Sequence, residues 1–265
     1  MPSIMECCMG CAIGMENETG KNFKATCRVL FGREIGELED LAPYLREHVE
    51  PPMAAKSAIS GRQVYLSQPF YCKEARFADI AELPSTGNAL SINDIKDIDS
   101  ALEAMAEKFS YCGNKNLGIS KDVVQSDMCN DSLDIISSQN VMSSKHAAYC
   151  NGIRASECAY GCMLGGEVGF AMHSQIFFYS KRCFESSLCF HSTDIFCSFN
   201  CSDCIETMFS FNQKAKRHMI GNVELPKGDY MALKAKLVGE IALHLEKKKR
   251  FPGIFELADG GGIDG

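Results

Sequence analysis

Between Leu117 and Ser210 the chain repeats in sixes. Every sixth residue from Leu117 to Cys201 is apolar or small, and the sixteen positions stepping by six from Ser120 to Ser210 hold serine, cysteine or, once, Val168. A register kept this long, with one short side chain per step, constrains the fold to a solenoid in which successive turns stack. Three hexads make about 18 residues, enough for a triangular turn with one short strand per side, and neighbouring strands would then lie about 4.8 Å apart. On that reading Ser120, Ser138, Ser156, Ser174, Ser192 and Ser210 form a serine ladder along one edge. The small hydroxyl suits a corner, where it bonds a backbone group or the serine above. The expected fold is mainly β: a parallel β-helix of about five turns over residues 113–212.

The flanks read differently. Residues 1–93 are expected to form a cysteine-bearing α+β module. Within it, Leu38, Leu41, Leu45 and Val49 share one helical face, and Ser60-Gly61 marks a hairpin turn. Asp94 would cap a helix whose stripe of Ile95, Ile98, Leu102, Met105 and Phe109 covers the first solenoid turn, so that 94–112 caps the open end. Residues 213–265 hold a helix from Pro226 to about Lys249, followed by a glycine-rich tail. Its face of Tyr230, Leu233, Leu237, Ile241 and Leu245 is expected to close the other end.

The chain has fifteen cysteines in 265 residues. No secretory signal or membrane-length apolar run is visible, so a cytoplasmic protein with reduced thiols is expected. Solenoid cysteines then act as small hydrophobes in serine-sized places. Cys7, Cys8, Cys11 and Cys27 are different: a Cys8-x-x-Cys11 pair with two more thiols nearby supplies four soft ligands for zinc or an iron–sulfur cluster, with Cys72 or Cys112 in reserve. The plain alternative is a turn with free thiols. A formal charge of −7 argues against a general nucleic-acid surface.

Two spacings of eighteen inside the repeat bear on chemistry. They bring together His173 with His191, a pair able to share a metal, and Glu167, Glu185 and Asp203, an acidic face near Lys181 and Arg182. His48 reads as a surface histidine. Phe178, Phe184, Phe190 and Phe196 follow the apolar column by one residue, so they either fill a widening interior or make an exposed aromatic strip.

These residues resemble the hexapeptide-repeat β-helix superfamily, which includes acyltransferases and the gamma class of carbonic anhydrases. The resemblance covers about 115–212 and rests on the period and the small residues; here serine follows the apolar position by three, a different order from the family's. The segment from Tyr179 to Cys204 is also similar to cysteine-rich repeat proteins of environmental prokaryotes, in which a charged helix follows the repeats. The superfamily likeness implies an enzyme acting between subunits near His173 and His191. The unbroken register leaves no inserted catalytic loop, and this favours a non-enzymatic scaffold or assembly subunit whose flat faces bind protein partners or further copies of itself.

Overall fold

The computed structural model describes residues 18–85, 89–179, 181–191 and 193–257. The repeat does build a β-solenoid, of about eight turns. The stacking interval is twelve residues, not eighteen. Lys145 pairs with Glu157, Cys150 with Cys162, Phe184 with Phe196 and Thr207 with Met219, all in parallel. Each hexad is therefore half a turn, and residues six or eighteen apart stand on opposite sides of the coil. The serines at Ser138 and Ser156 do not stack; Ser126, Ser138 and Cys150 do.

Backbone conformation explains the interval. Nearly every third residue from Asp122 to His218 has positive φ, including Asp131, Asp134, Asn140, Asp194, Asn200 and Asn212. Each such residue is a corner, so a turn has four sides of three residues. Asp, Asn and Gly tolerate the left-handed region best, and they recur at these corners. The residue after each corner points inward. Both columns read from the sequence, apolar and serine, therefore face one narrow interior, filled by Cys129, Ile135, Val141, Ala147, Ile153 and their successors.

Serine is favoured inside because its hydroxyl satisfies two backbone groups at once. Ser138 Oγ donates to the Ile136 carbonyl (2.8 Å) and accepts the Cys150 N–H (3.0 Å). Ser198 repeats this with Phe196 (2.8 Å) and Ser210 (3.2 Å). A cysteine keeps the first of these contacts: the Cys150, Cys189 and Cys201 thiols meet the carbonyls two residues back at 3.0, 3.3 and 3.4 Å.

Half-turn spacing also settles the phenylalanines. Phe184 and Phe196 lie on one outer face and are buried; Phe178 and Phe190 stack on the opposite face, ring centroids 5.4 Å apart. The buried face, Ala148, Tyr160, Met172, Phe184, Phe196 and Met208, is covered by helices. α1 (Glu18–Phe31) sets Phe23 edge-on to Tyr160 and Phe31 edge-on to Phe184. A short helix, α2 (Ala42–Leu45), follows a 3-10 turn at Glu39–Leu41 and carries Pro43 in its first turn. The four residues of the expected stripe, Leu38, Leu41, Leu45 and Val49, are all buried.

The ends close in ways the sequence reading did not foresee. A hairpin of β1 (Met53–Lys56) and β2 (Gln63–Leu66) turns through Ser60-Gly61 as expected. β3 (Phe77–Asp79) pairs in parallel with β4 (Tyr111–Gly113). The hairpin covers the first turn: the Ser67 N–H donates to Asp127 (2.7 Å), and Tyr65 exchanges hydrogen bonds with Asn114. α3 (Ile98–Lys108), capped by Asp97 rather than Asp94, buries none of its residues. Its stripe of Ile95, Ile98, Leu102, Met105 and Phe109 is 37–75% exposed, so α3 is not the solenoid's cap. At the far end the chain folds back on itself, Ile220 pairing antiparallel with Val223. The last helix, α4 (Lys227–Lys248), has the expected bounds but is no end cap. It runs down the flank beside α1: Tyr230 lies by His218, Lys234 pairs with Asp194 (2.6 Å), and Phe251 beyond its end reaches Phe184. The apolar column along the flank, from Ala148 to Met208, gives the apolar faces of both helices a surface to bury against.

Candidate functional site

One corner of the solenoid carries Tyr149, Gly161, His173, Glu185 and Cys197, each twelve residues from the last. α2 docks on it. The Arg46 guanidinium sits over the Tyr149 ring, 4.2 Å from its centre. The Leu45 carbonyl presses so closely on Gly161 that no Cβ fits there. This close approach swings Tyr44, Glu47 and His48 over the next two turns.

What they meet is a fully buried carboxylate. Glu185 is 0% exposed. It accepts from the Tyr44 hydroxyl, from His173 Nδ1 (2.5 Å) and from the Ile254 N–H (3.2 Å). A carboxylate with three donors offsets its burial cost through charge-assisted bonds. It also fixes the histidine. A neutral imidazole that donates its Nδ1–H to Glu185 keeps its lone pair on Nε2. That Nε2 is buried and has no hydrogen-bond partner among the described residues. Burial, and then the charge of Glu185, holds the Tyr44 hydroxyl well above its ordinary pKa, and the same two causes push up the Cys197 thiol.

The rim is half-open. The His48 ring stacks on His173, centroids 4.8 Å apart and planes 21° from parallel, and meets the edge of Phe255. Glu47 is held by Arg250 (2.7 Å), which also grips both oxygens of Glu256 (2.8 Å each). Those hydrogen bonds raise the Arg250 pKa, and Arg250 is the chief cause of the lowered Glu256 pKa. The donor atoms of Glu47, His48 and His173 all lie within 4.8 Å of one another.

His173 and His191 are a turn and a half apart and do not stack. Each finds an acid one turn away instead: His173 finds Glu185, and His191 finds Asp203 at 3.1 Å. His146 with Asp134 (3.1 Å) and His218 with Glu206 (2.8 Å) obey the same rule. Glu167, Glu185 and Asp203 accordingly form no acidic column. Cys27 lies in α1, buried in the core beside Phe23, and burial pushes its thiol up to about 12. Cys7, Cys8 and Cys11 lie outside the described residues. Cys72 is exposed and Cys112 half-buried. Sequence reasoning missed Tyr44, Glu47 and His48, which reach the site only through the docking of α2. The twelve-residue step from His173 to Glu185 was the signal available for the other two.

A second feature lies on the solenoid face away from the helices. Met128, Met142, Leu164, Phe178 and Tyr179 are 38–55% exposed there, beside a shallow groove lined by Asn140, Gly152, Arg154, Leu164, Ile176 and Phe178. No helix among the described residues is long and apolar enough to cross a membrane. No family model matches the chain, and neither does any curated protein.

Proposed function

We propose that the protein is a non-enzymatic assembly subunit that associates with a second copy of itself through the solenoid face bearing Met142, Leu164 and Phe178. The observation that carries this reading is the set of exposed apolar side chains on that face, Met142, Leu164, Phe178 and Tyr179, interrupted by Arg154 and covered by no helix among the described residues, while the apolar column on the opposite face lies under α1 and α4. Apolar patches of this kind on a folded chain mark contact surfaces. A flat, stacked β face is also self-complementary. Two copies related by a twofold axis bring the same strip together, about 10 Å apart as packed sheets lie, and each covers the other.

Light scattering tests it. The chain is expected to run at twice its 29.1 kDa, and Leu164→Asp with Phe178→Asp to return it to the monomer. A wild-type monomer at every concentration up to its solubility limit overturns the reading. The alternative, an enzyme with a site shared between subunits near His173 and His191, has less support, because His173 is buried beneath α2. A zinc or iron–sulfur site at Cys7, Cys8, Cys11 and Cys27 remains a separate proposal; elemental analysis of anaerobically purified protein decides it, and Cys27 would have to leave the core beside Phe23 to serve.

A further inference from the structure

We infer that Glu47, His48 and His173 form a binding site for a divalent transition metal of the zinc or ferrous-iron class, with Glu185 as the carboxylate that orients His173. The inference is independent of the self-association reading. Among the described residues these three alone bring three metal-ligating side chains within 4.8 Å of each other.

Proximity is only the first argument. His173 Nε2 is buried and has no hydrogen-bond partner among the described residues, while Nδ1 is committed to Glu185 at 2.5 Å, and a ring nitrogen of His173 lies within 4.8 Å of donor atoms of both His48 and Glu47. A buried acceptor without a donor costs free energy, and a cation at that point removes the cost. The chain carboxylate–histidine–ion is the arrangement by which ligating imidazoles are usually held: the second carboxylate sets the tautomer and strengthens the donor. Two imidazoles and one carboxylate suit zinc or ferrous iron better than calcium or magnesium, which prefer all-oxygen shells.

The remaining geometry says what must move. Metal–ligand bonds of about 2.0–2.2 Å put tetrahedral donors roughly 3.3 Å apart, so the cluster has on the order of 1.5 Å to close. His48 stacks on His173 at 21°, and ring lone pairs lie in the ring plane, so His48 must rotate to share an ion with it. It is half-buried in the turn that follows α2, and the rotation also breaks its edge contact with Phe255. Glu47 must release Arg250, which keeps Glu256 on Nη2 through both oxygens while its Nε–H turns to solvent. Water completes the shell.

The test is cobalt(II) titration of the full chain carrying Cys7→Ser, Cys8→Ser and Cys11→Ser, which removes the competing N-terminal thiols. One equivalent is expected to bind, giving visible d–d bands without a thiolate charge-transfer band. His48→Ala and Glu47→Gln, both at the rim, are each expected to weaken binding at least ~10-fold, with melting curves as the check that they fold. The role of Glu185 is read by nitrogen-15 spectra of the histidine rings. In the metal-free chain His173 should show its proton on Nδ1, and Glu185→Gln should mix the tautomers and weaken cobalt about 10–100-fold. Absence of stoichiometric binding, a thiolate band, or affinity unchanged in both rim variants overturns the inference.

Discussion

Gly161→Ala should be among the most damaging single-methyl additions in this chain. The residue has φ +103°, and an alanine held there carries strain of about 1–3 kcal/mol. The added carbon also meets the Leu45 carbonyl, a backbone atom that cannot swing aside. α2 must lift, at an overpacking cost of about 1–3 kcal/mol. The sum is about 4 kcal/mol. Gly221 supplies the control: its φ is +61°, yet nothing lies within 4 Å of the position a Cβ would take. Gly221→Ala should therefore cost only the strain, about 1–2 kcal/mol. At roughly 2–4 °C per kcal/mol for a chain of this size, the melting points should fall by about 8–16 °C and about 2–8 °C. Urea titrations followed by circular dichroism give the same comparison as a shift in midpoint at constant slope. Equal losses at the two glycines would refute the docking of α2 on this corner, and with it the placement of Tyr44, Glu47 and His48.

Other outcomes follow from the same geometry. Glu185→Gln should cost about 2–4 kcal/mol, since one acceptor oxygen becomes a donor facing groups that already donate, and a cycle with Tyr44→Phe should show a coupling above ~1 kcal/mol; additivity would mean the two do not interact. The twelve-residue register predicts that Lys145→Cys with Glu157→Cys forms a disulfide under mild oxidation, whereas Lys145→Cys with Met163→Cys, eighteen apart, does not; the reverse result would restore the three-sided coil. Glu82 accepts hydrogen bonds from Ser57 and Ser60 and then from Arg62, which hold its pKa down to about 2 from 4.5. A depressed pKa stabilises the folded hairpin region above pH 4.5, and that contribution is lost as pH falls toward 2. Glu82→Gln should flatten the acid limb of the stability curve, and an unchanged limb would exclude this carboxylate as its source.

Parts of this molecule were legible in one dimension. A spacing of six from Leu117 to Ser210 demanded a stacked coil, and Pro226 to Lys249 demanded a helix. The number of hexads per turn was not legible from the inward columns alone, because serine and apolar columns recur every six residues whether two or three hexads close a turn. Corners at Asp131, Asp134, Asn140 and Asn200 fall a multiple of three apart, where left-handed backbone is required, but three divides twelve and eighteen alike, and only the strand pairing decides between them. α1 was legible as well. Phe23, Cys27 and Leu30 have helical spacing, and all three are buried.

The candidate site shows where the boundary falls. The sequence by itself determined that His173 and Glu185 would be neighbours, once the coil climbs twelve residues per turn, because stacking is a local consequence of backbone conformation. It also determined that each of His146, His191 and His218 would find an acid by the same step. Only the tertiary structure decided that one of these four pairs is sealed from water and the others are not. That depends on α2 and the segment after α4, whose donors, the Tyr44 hydroxyl and the Ile254 N–H, reach Glu185 from more than a hundred and from about seventy residues away along the chain. Such contacts are fixed by which faces remain to be covered after the coil has formed, and no periodicity in the chain records them.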